Sequence, residues 1–208
     1  QTIRIDVSNL EPLVVLPHKV AHNACPATEL SETKIDQAFI GSCANGRIED
    51  FAIAAEIMAG RQVAPGVRMI VTPGSQSVLK EAMAKGYVAT LMDAGAVVTN
   101  STCGACYGGH MGVLGDGEVC ITASTRNFQG RMGSAEADIY LGSPATVAAS
   151  AVRGVITDPR RHGFANRRDR LGFRRRYQHG FDITGGRIFA AGRGADQILL
   201  FRQSAWLV

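Results

Sequence analysis

Short apolar runs alternate with amphipathic stretches across residues 37–159, and this alternation constrains the fold more than any other feature of the chain. Gln37-Ala38-Phe39-Ile40 has the length and composition of a buried strand and stops at Gly41. The spacing of Ile48, Phe51, Ala52, Ala55, Met58 and Ala59 predicts a helix over 48–59, ended by Gly60. A strand follows at 67–71 and breaks at Pro73-Gly74. Ser75 suits the cap of a helix running through Lys85, with Gly86 as its stop. Ala96-Val97-Val98 reads as a third strand and 119–123 as a fourth. Ser143 and Pro144 form an N-cap and first-turn pair for a helix ending near Arg153-Gly154. Strand and helix in alternation predict an α/β fold: a three-layer α/β/α domain around a mainly parallel sheet.

In such a sheet the loops after the strands share one edge, and ligands bind there. Cys43 follows the first strand, Cys103 and Cys106 follow the third, and Arg126 follows the fourth. One lone cysteine and one C-x-x-C make three thiolates on that edge. A closed tetrahedral site takes four protein ligands, so three leave a position open for a substrate. Gly41, Gly46, Gly104, Gly108 and Gly109 surround these cysteines, and glycine lets backbone come close to a bound group. The C-x-x-C alone also fits a thioredoxin-like redox pair, although Gly104 and Gly108-Gly109 disfavour the helix that such a motif opens. It fits a zinc site as well, with His110 or Cys120 as fourth ligand. In Arg126-Asn127-Phe128-Gln129-Gly130-Arg131, two arginines stand five apart around a glycine. Arginine is the preferred side chain for gripping carboxylates with two parallel bonds, so the pair suggests a substrate with at least two carboxylates. A pair of plain surface arginines is the alternative.

The formal charge of +4 hides two regions. Residues 1–159 hold 11 basic and 15 acidic residues, a net of −4, whereas residues 160–208 hold 11 Arg and 3 Asp, a net of +8. The body is therefore mildly acidic, and its composition argues against a nucleic-acid partner. Eight arginines crowd positions 160–176 with poor apolar periodicity and few aromatics, so 160–208 is expected to be an irregular Arg-rich tail that is disordered or non-native. Residues 1–36, broken by Pro12, Pro17 and Pro26, are expected to be an irregular lead-in wrapped on the domain at 37–159. No run of eighteen apolar residues predicts a membrane partner. Five cysteines without a secretory leader point to the reducing cytoplasm. The start at Gln1, without Met, suggests a piece of a longer polypeptide.

Three segments together resemble the aconitase superfamily. They are Gly41-Ser42-Cys43-Ala44-Asn45-Gly46-Arg47-Ile48-Glu49-Asp50, the loop Cys103-Gly104-Ala105-Cys106, and Arg126-Asn127-Phe128-Gln129-Gly130-Arg131-Met132-Gly133. The lead-in Asp6-Val7-Ser8-Asn9-Leu10-Glu11-Pro12 and the helix from Ser143 fit the same pattern, so the resemblance covers about residues 3–160. Within the superfamily it is nearest to the large subunits of the 3-isopropylmalate dehydratase and homoaconitase-like branch, in their third domain.

The resemblance implies a [4Fe–4S] cluster held by Cys43, Cys103 and Cys106, with one iron left open as a Lewis acid. It implies that Arg126 and Arg131 bind the carboxylates of a di- or tricarboxylate hydroxy acid. The implied activity is a hydro-lyase step interconverting 2-isopropylmalate and 3-isopropylmalate in leucine biosynthesis. Homoaconitase, 2,3-dimethylmalate dehydratase and aconitase activities are alternatives, and a zinc-stabilised binding module is the non-enzyme alternative. The catalytic serine base of the family belongs to a swivelling small subunit, the implied partner, and its His- and Asp-bearing first domain lies upstream. No catalytic base is therefore assigned to this chain, which is expected to be inactive alone. Two positions depart from the family pattern: Thr125 stands where Asn is common, and Ala44 where Thr is common.

Overall fold

A computed structural model describes residues 11–161, 163 and 164, together with the strand backbones 181–184 and 187–190. Residues 11–164 form one unit around a seven-stranded sheet. Its strands are β1 (Leu13–Val15), β2 (Ala24–Pro26), β3 (Gln37–Gly41), β4 (Arg68–Thr72), β5 (Val97–Val98), β6 (Val119–Thr122) and β7 (Asp138–Leu141), in the order β2-β1-β7-β6-β3-β4-β5. The five from β7 to β5 run parallel, while β1 and β2 add an antiparallel hairpin at the β7 edge. The helices are the single turn α1 (Ser42–Asn45), then α2 (Ile48–Met58), α3 (Gln76–Ala84), α4 (Tyr87–Asp93) and α5 (Pro144–Arg153).

Strand handedness explains where each connection lies. A crossover between parallel strands is right-handed, so connections moving in opposite directions along the sheet fall on opposite faces. From β3 the chain steps through α2 to β4, then through α3 and α4 to β5, always outward in one direction. From β5 it returns across to β6 and continues to β7, moving the other way. The first two connections supply helices to one face. Phe51, Ala54, Met58, Leu91 and, from α5, Val147 pack there on Ala38, Ile40, Val71 and Ile121. The returning connections cover the other face, where Ala105, Leu114, Met132 and Ala137 pack on Phe39, Ile70, Cys120 and Ile139. The α/β class with a mainly parallel sheet is thus the observed one. Among the described residues, the layer opposite the helices consists of loops with one 3-10 turn, not of a second set of α-helices.

The strands and helices read from periodicity lie within a residue or two of 37–40, 48–59, 67–71, 75–85, 96–98, 119–123 and 144–153. Ser75 and Ser143 both cap as expected, accepting from the backbone N–H of Val78 and Thr146. The hairpin β1–β2, helix α4 and strand β7 are additional elements. In the tail, β8 (Phe181–Thr184) pairs antiparallel with β9 (Arg187–Ala190). The Asp6–Leu10 part of the lead-in motif and the rest of the Arg-rich tail lie outside the described residues. Among the described residues, no helix is long and apolar enough to cross a membrane.

Candidate metal centre

Neighbouring strands β3 and β6 send their chains to opposite faces, so a crevice opens between the loops at their carboxyl ends. This is the switch point at which open α/β sheets bind ligands. Cys43 lies on one side of it, in α1 directly after β3, and Arg126 lies on the other, four residues beyond β6. Asn45 spans the crevice by donating from Nδ2 to the Ala123 carbonyl. Two strands along from β3, β5 leads into the 3-10 turn Gly104–Tyr107 that carries Cys106, with Cys103 at its cap.

Two loops on this edge are locked by side chains from the strand ends. Thr72, last in β4, shares a 2.8 Å hydrogen bond with Thr99 beyond β5, and the Thr99 hydroxyl donates on to the Asn100 carbonyl. Thr102 Oγ1 accepts from the Gly104 N–H and is 2.8 Å from His110 Nε2. The arginine loop is held by Asn127, which is fully buried and donates from Nδ2 to the carbonyls of Leu16 and Ile139. Asn127 thereby ties the N-terminal hairpin to the site. Sequence reasoning passed over Asn45 and Asn127, because a lone Asn in a loop has no periodic signal. The Ser-Cys-Ala-Asn-Gly and Arg-Asn-Phe motifs around them were the signal available.

All five cysteines are free. Cys43 and Cys103 are exposed on the carboxyl edge and Cys106 is half-buried there. Among the described residues, no three of His, Cys, Asp and Glu converge on a single-ion site. The two candidate fourth ligands for zinc are differently engaged. His110 is bonded to Thr102, and Cys120 pairs with Gln37 across β6 and β3, at the opposite ends of those strands. Arg131 lies beside Cys106, with Nη2 3.8 Å from Sγ, and its guanidinium rests on the Phe128 ring. Arg126 is exposed and donates to the Thr125 carbonyl. Buried polar atoms without a protein partner cluster in the same loops: Ser101 Oγ, Ser124 Oγ, Asn127 Oδ1 and Arg131 Nε. Three accessible thiols, two guanidinium groups and these spare donors and acceptors suit an anionic metal–sulfur group and a carboxylate ligand.

Cys120 is a core thiol with no access to solvent, and burial pushes its pKa up from 9.0 to about 12. The folded value lies above the unfolded one. Its contribution to stability is therefore whole below pH 9.0 and is lost as the pH rises toward about 12. The loss within that window is roughly 1.4 kcal/mol per pH unit. Chemical denaturation between pH 8 and 11 is expected to fall more steeply for the native chain than for Cys120→Ala. Equal slopes would show that other groups carry the alkaline loss.

The model of the aconitase family (aconitate hydratase) matches residues 11–154, and the chain belongs to this family. Within the family the chain is similar to curated 3-isopropylmalate dehydratase large subunits. It is 64% identical to that of Mycolicibacterium smegmatis over 157 residues, covering 76% of this chain and 37% of the relative. It is 56% identical to that of Aliarcobacter butzleri over 161 residues, covering 77% and 38%. It is 52% identical to that of Moorella thermoacetica over 159 residues, covering 76% and 38%. The chain thus spans less than two fifths of the length of these relatives.

Proposed function

We propose that this chain is the cluster-bearing portion of a hydro-lyase large subunit that interconverts 2-isopropylmalate and 3-isopropylmalate. The observation that carries the reading is the family match over 11–154, which includes Cys43, Cys103, Cys106, Arg126 and Arg131 in one segment. That the relatives are 3-isopropylmalate dehydratase large subunits favours isopropylmalate over citrate. Cys43, Cys103 and Cys106 would hold a [4Fe–4S] cluster, and the residues present fit it. A cluster spreads its protein sulfurs over separate irons, so its ligands need not converge as they do on one ion. When bound, the cluster supplies a Lewis acid at the iron without a protein ligand, which assists departure and return of a hydroxyl.

The chain's own groups bind and orient. Arg126 and Arg131 pair with the two carboxylates of the substrate and fix which carbon carries the leaving hydroxyl. Asn45 and Asn127 hold the two sides of the crevice so that the thiols and guanidinium groups keep their spacing. The base that moves the substrate proton belongs to a partner small subunit. The free thiols suit the reducing cytoplasm. Anaerobic reconstitution with iron and sulfide is expected to give a brown chain with stoichiometric acid-labile sulfide. A chain that stays colourless and instead takes up one equivalent of zinc would replace this reading with the zinc-stabilised module.

A further inference from the structure

We propose that Arg131 is a positioning residue for the metal-binding loop. One of its N–H groups holds the Cys106 sulfur, so that loop 103–109 and loop 126–133 set as one body. The proposal rests on the reading of Cys106 as a cluster ligand for its consequence, but not for the contact itself. Four observations carry it. Arg131 Nη2 stands 3.8 Å from Cys106 Sγ, a donor–acceptor distance suited to the large sulfur atom. The guanidinium is braced from behind by the Phe128 ring, 5.4 Å from its centroid. Its Nε is buried without a partner, so the group is held inside the loop pair and not spread on the surface. Finally, the backbones interlock: a Cβ on Gly108 would lie 2.8 Å from the Gly133 nitrogen, while Ala105 and Met132 share one apolar cluster beneath.

The two arginines are therefore not equivalent. Arg126 is exposed and engages only its neighbour's carbonyl among the bonds described, which leaves its guanidinium open toward a ligand. Arg131 has one edge committed to sulfur. A cationic donor beside a thiolate holds it more strongly than a neutral one, and hydrogen bonds to ligand sulfurs are a recognised control on iron–sulfur centres. Arg131 would thus present Cys106 in ligating position before the cluster arrives and slow its loss afterwards.

The Cys106 and Gly108 amides are bonded within the loop, to the carbonyls of Cys103 and Ala105, so their hydrogen exchange reports loop opening. The test is exchange mass spectrometry on the metal-free 208-residue chain, with Arg131→Gln, Cys106→Ala and the double variant. Arg131→Gln is expected to speed exchange over 103–109 about tenfold, the size of one net hydrogen bond to an ionised group. The same change in the Cys106→Ala background is expected to add nothing, because the partner is gone. Arg126→Gln is expected to leave this segment unchanged. An undiminished Arg131→Gln effect in the Cys106→Ala background, or no effect at all, overturns the proposal. In reconstituted protein, Arg131→Gln is expected to lose iron to a chelator several-fold faster than the native chain, with Arg131→Lys between them. Equal rates overturn the role in cluster retention. A native chain that takes up no iron and sulfide refutes the proposed function, while the exchange cycle still decides the contact.

Discussion

Serine at Cys43, Cys103 or Cys106 is expected to leave the reconstituted chain without its visible cluster absorbance and with sulfide at background. Cys25→Ser and Cys120→Ala are expected to load like the native chain. The size of the effect follows from coordination. In the proposed cluster three protein sulfurs are the whole ligand set, and removal of one would leave two irons without a protein ligand. A serine hydroxyl is a poor substitute, since it is far less acidic than a thiol and a harder donor. Placement separates the two groups of cysteines. Cys43, Cys103 and Cys106 stand in the loops after β3 and β5, on the edge that faces the crevice. Cys25 lies in β2 of the antiparallel hairpin, and Cys120 is sealed beneath the loop layer at the far end of β6. Iron and sulfide analysis across the five variants checks this. Loss of the cluster in Cys120→Ala but not in Cys43→Ser would assign the ligands wrongly.

The residues that carry this pattern were legible because chemistry and punctuation coincide there. Gly41 ends a continuous apolar strand and Cys43 follows at once, and Val97-Val98 leads into the C-x-x-C. The parallel order of the strands was legible from alternation alone, but the faces were not. Helices α2, α3 and α4 share one face because the chain moves outward through β4 and β5 before it reverses, and reversal is a property of strand order, which periodicity does not encode. Helix α4 escaped because Gly86, with φ of 76°, terminates α3 and opens the next helix within a single residue. A glycine stop conceals an immediate restart. The hairpin β1–β2 escaped because each strand has three residues, with Pro12 and Pro17 close to β1 and Pro26 inside β2. What stabilises it is tertiary: Val15 pairs with Leu141, and Asn127 bonds the Leu16 carbonyl from more than a hundred residues away. The glycines read as disfavouring a helix at the C-x-x-C leave it a short 3-10 turn, Gly104–Tyr107, and no α-helix. Gly104 and Gly108 adopt positive φ at its two ends, 42° and 71°, and so bound a single turn.

The strongest stability effect is expected at Gly41→Ala, and two separate costs contribute to it. Gly41 has φ of 138°, a conformation that L side chains rarely adopt, and strain of that kind costs about 1–3 kcal/mol. The second cost is contact. An added Cβ would lie 2.1 Å from the Thr72 carbonyl oxygen and 2.7 Å from its nitrogen. Both are backbone atoms of β4, which is paired with β3 from Gln37–Arg68 through Gly41–Thr72, so nothing flexible can yield. Relief would require separating the central pair of the sheet just where the Cys43 turn begins. We expect the sum to exceed about 4 kcal/mol, against a total near 5–15 kcal/mol for a domain of this kind. Gly117→Ala serves as the control. Its φ of 72° is also positive, but a Cβ there meets nothing within 4 Å. That change is expected to cost about 1 kcal/mol, the price of the backbone conformation alone. Urea titration of the two variants separates the terms, and similar midpoints would mean that β4 gives way and that close contact does not hold the Cys43 turn in place.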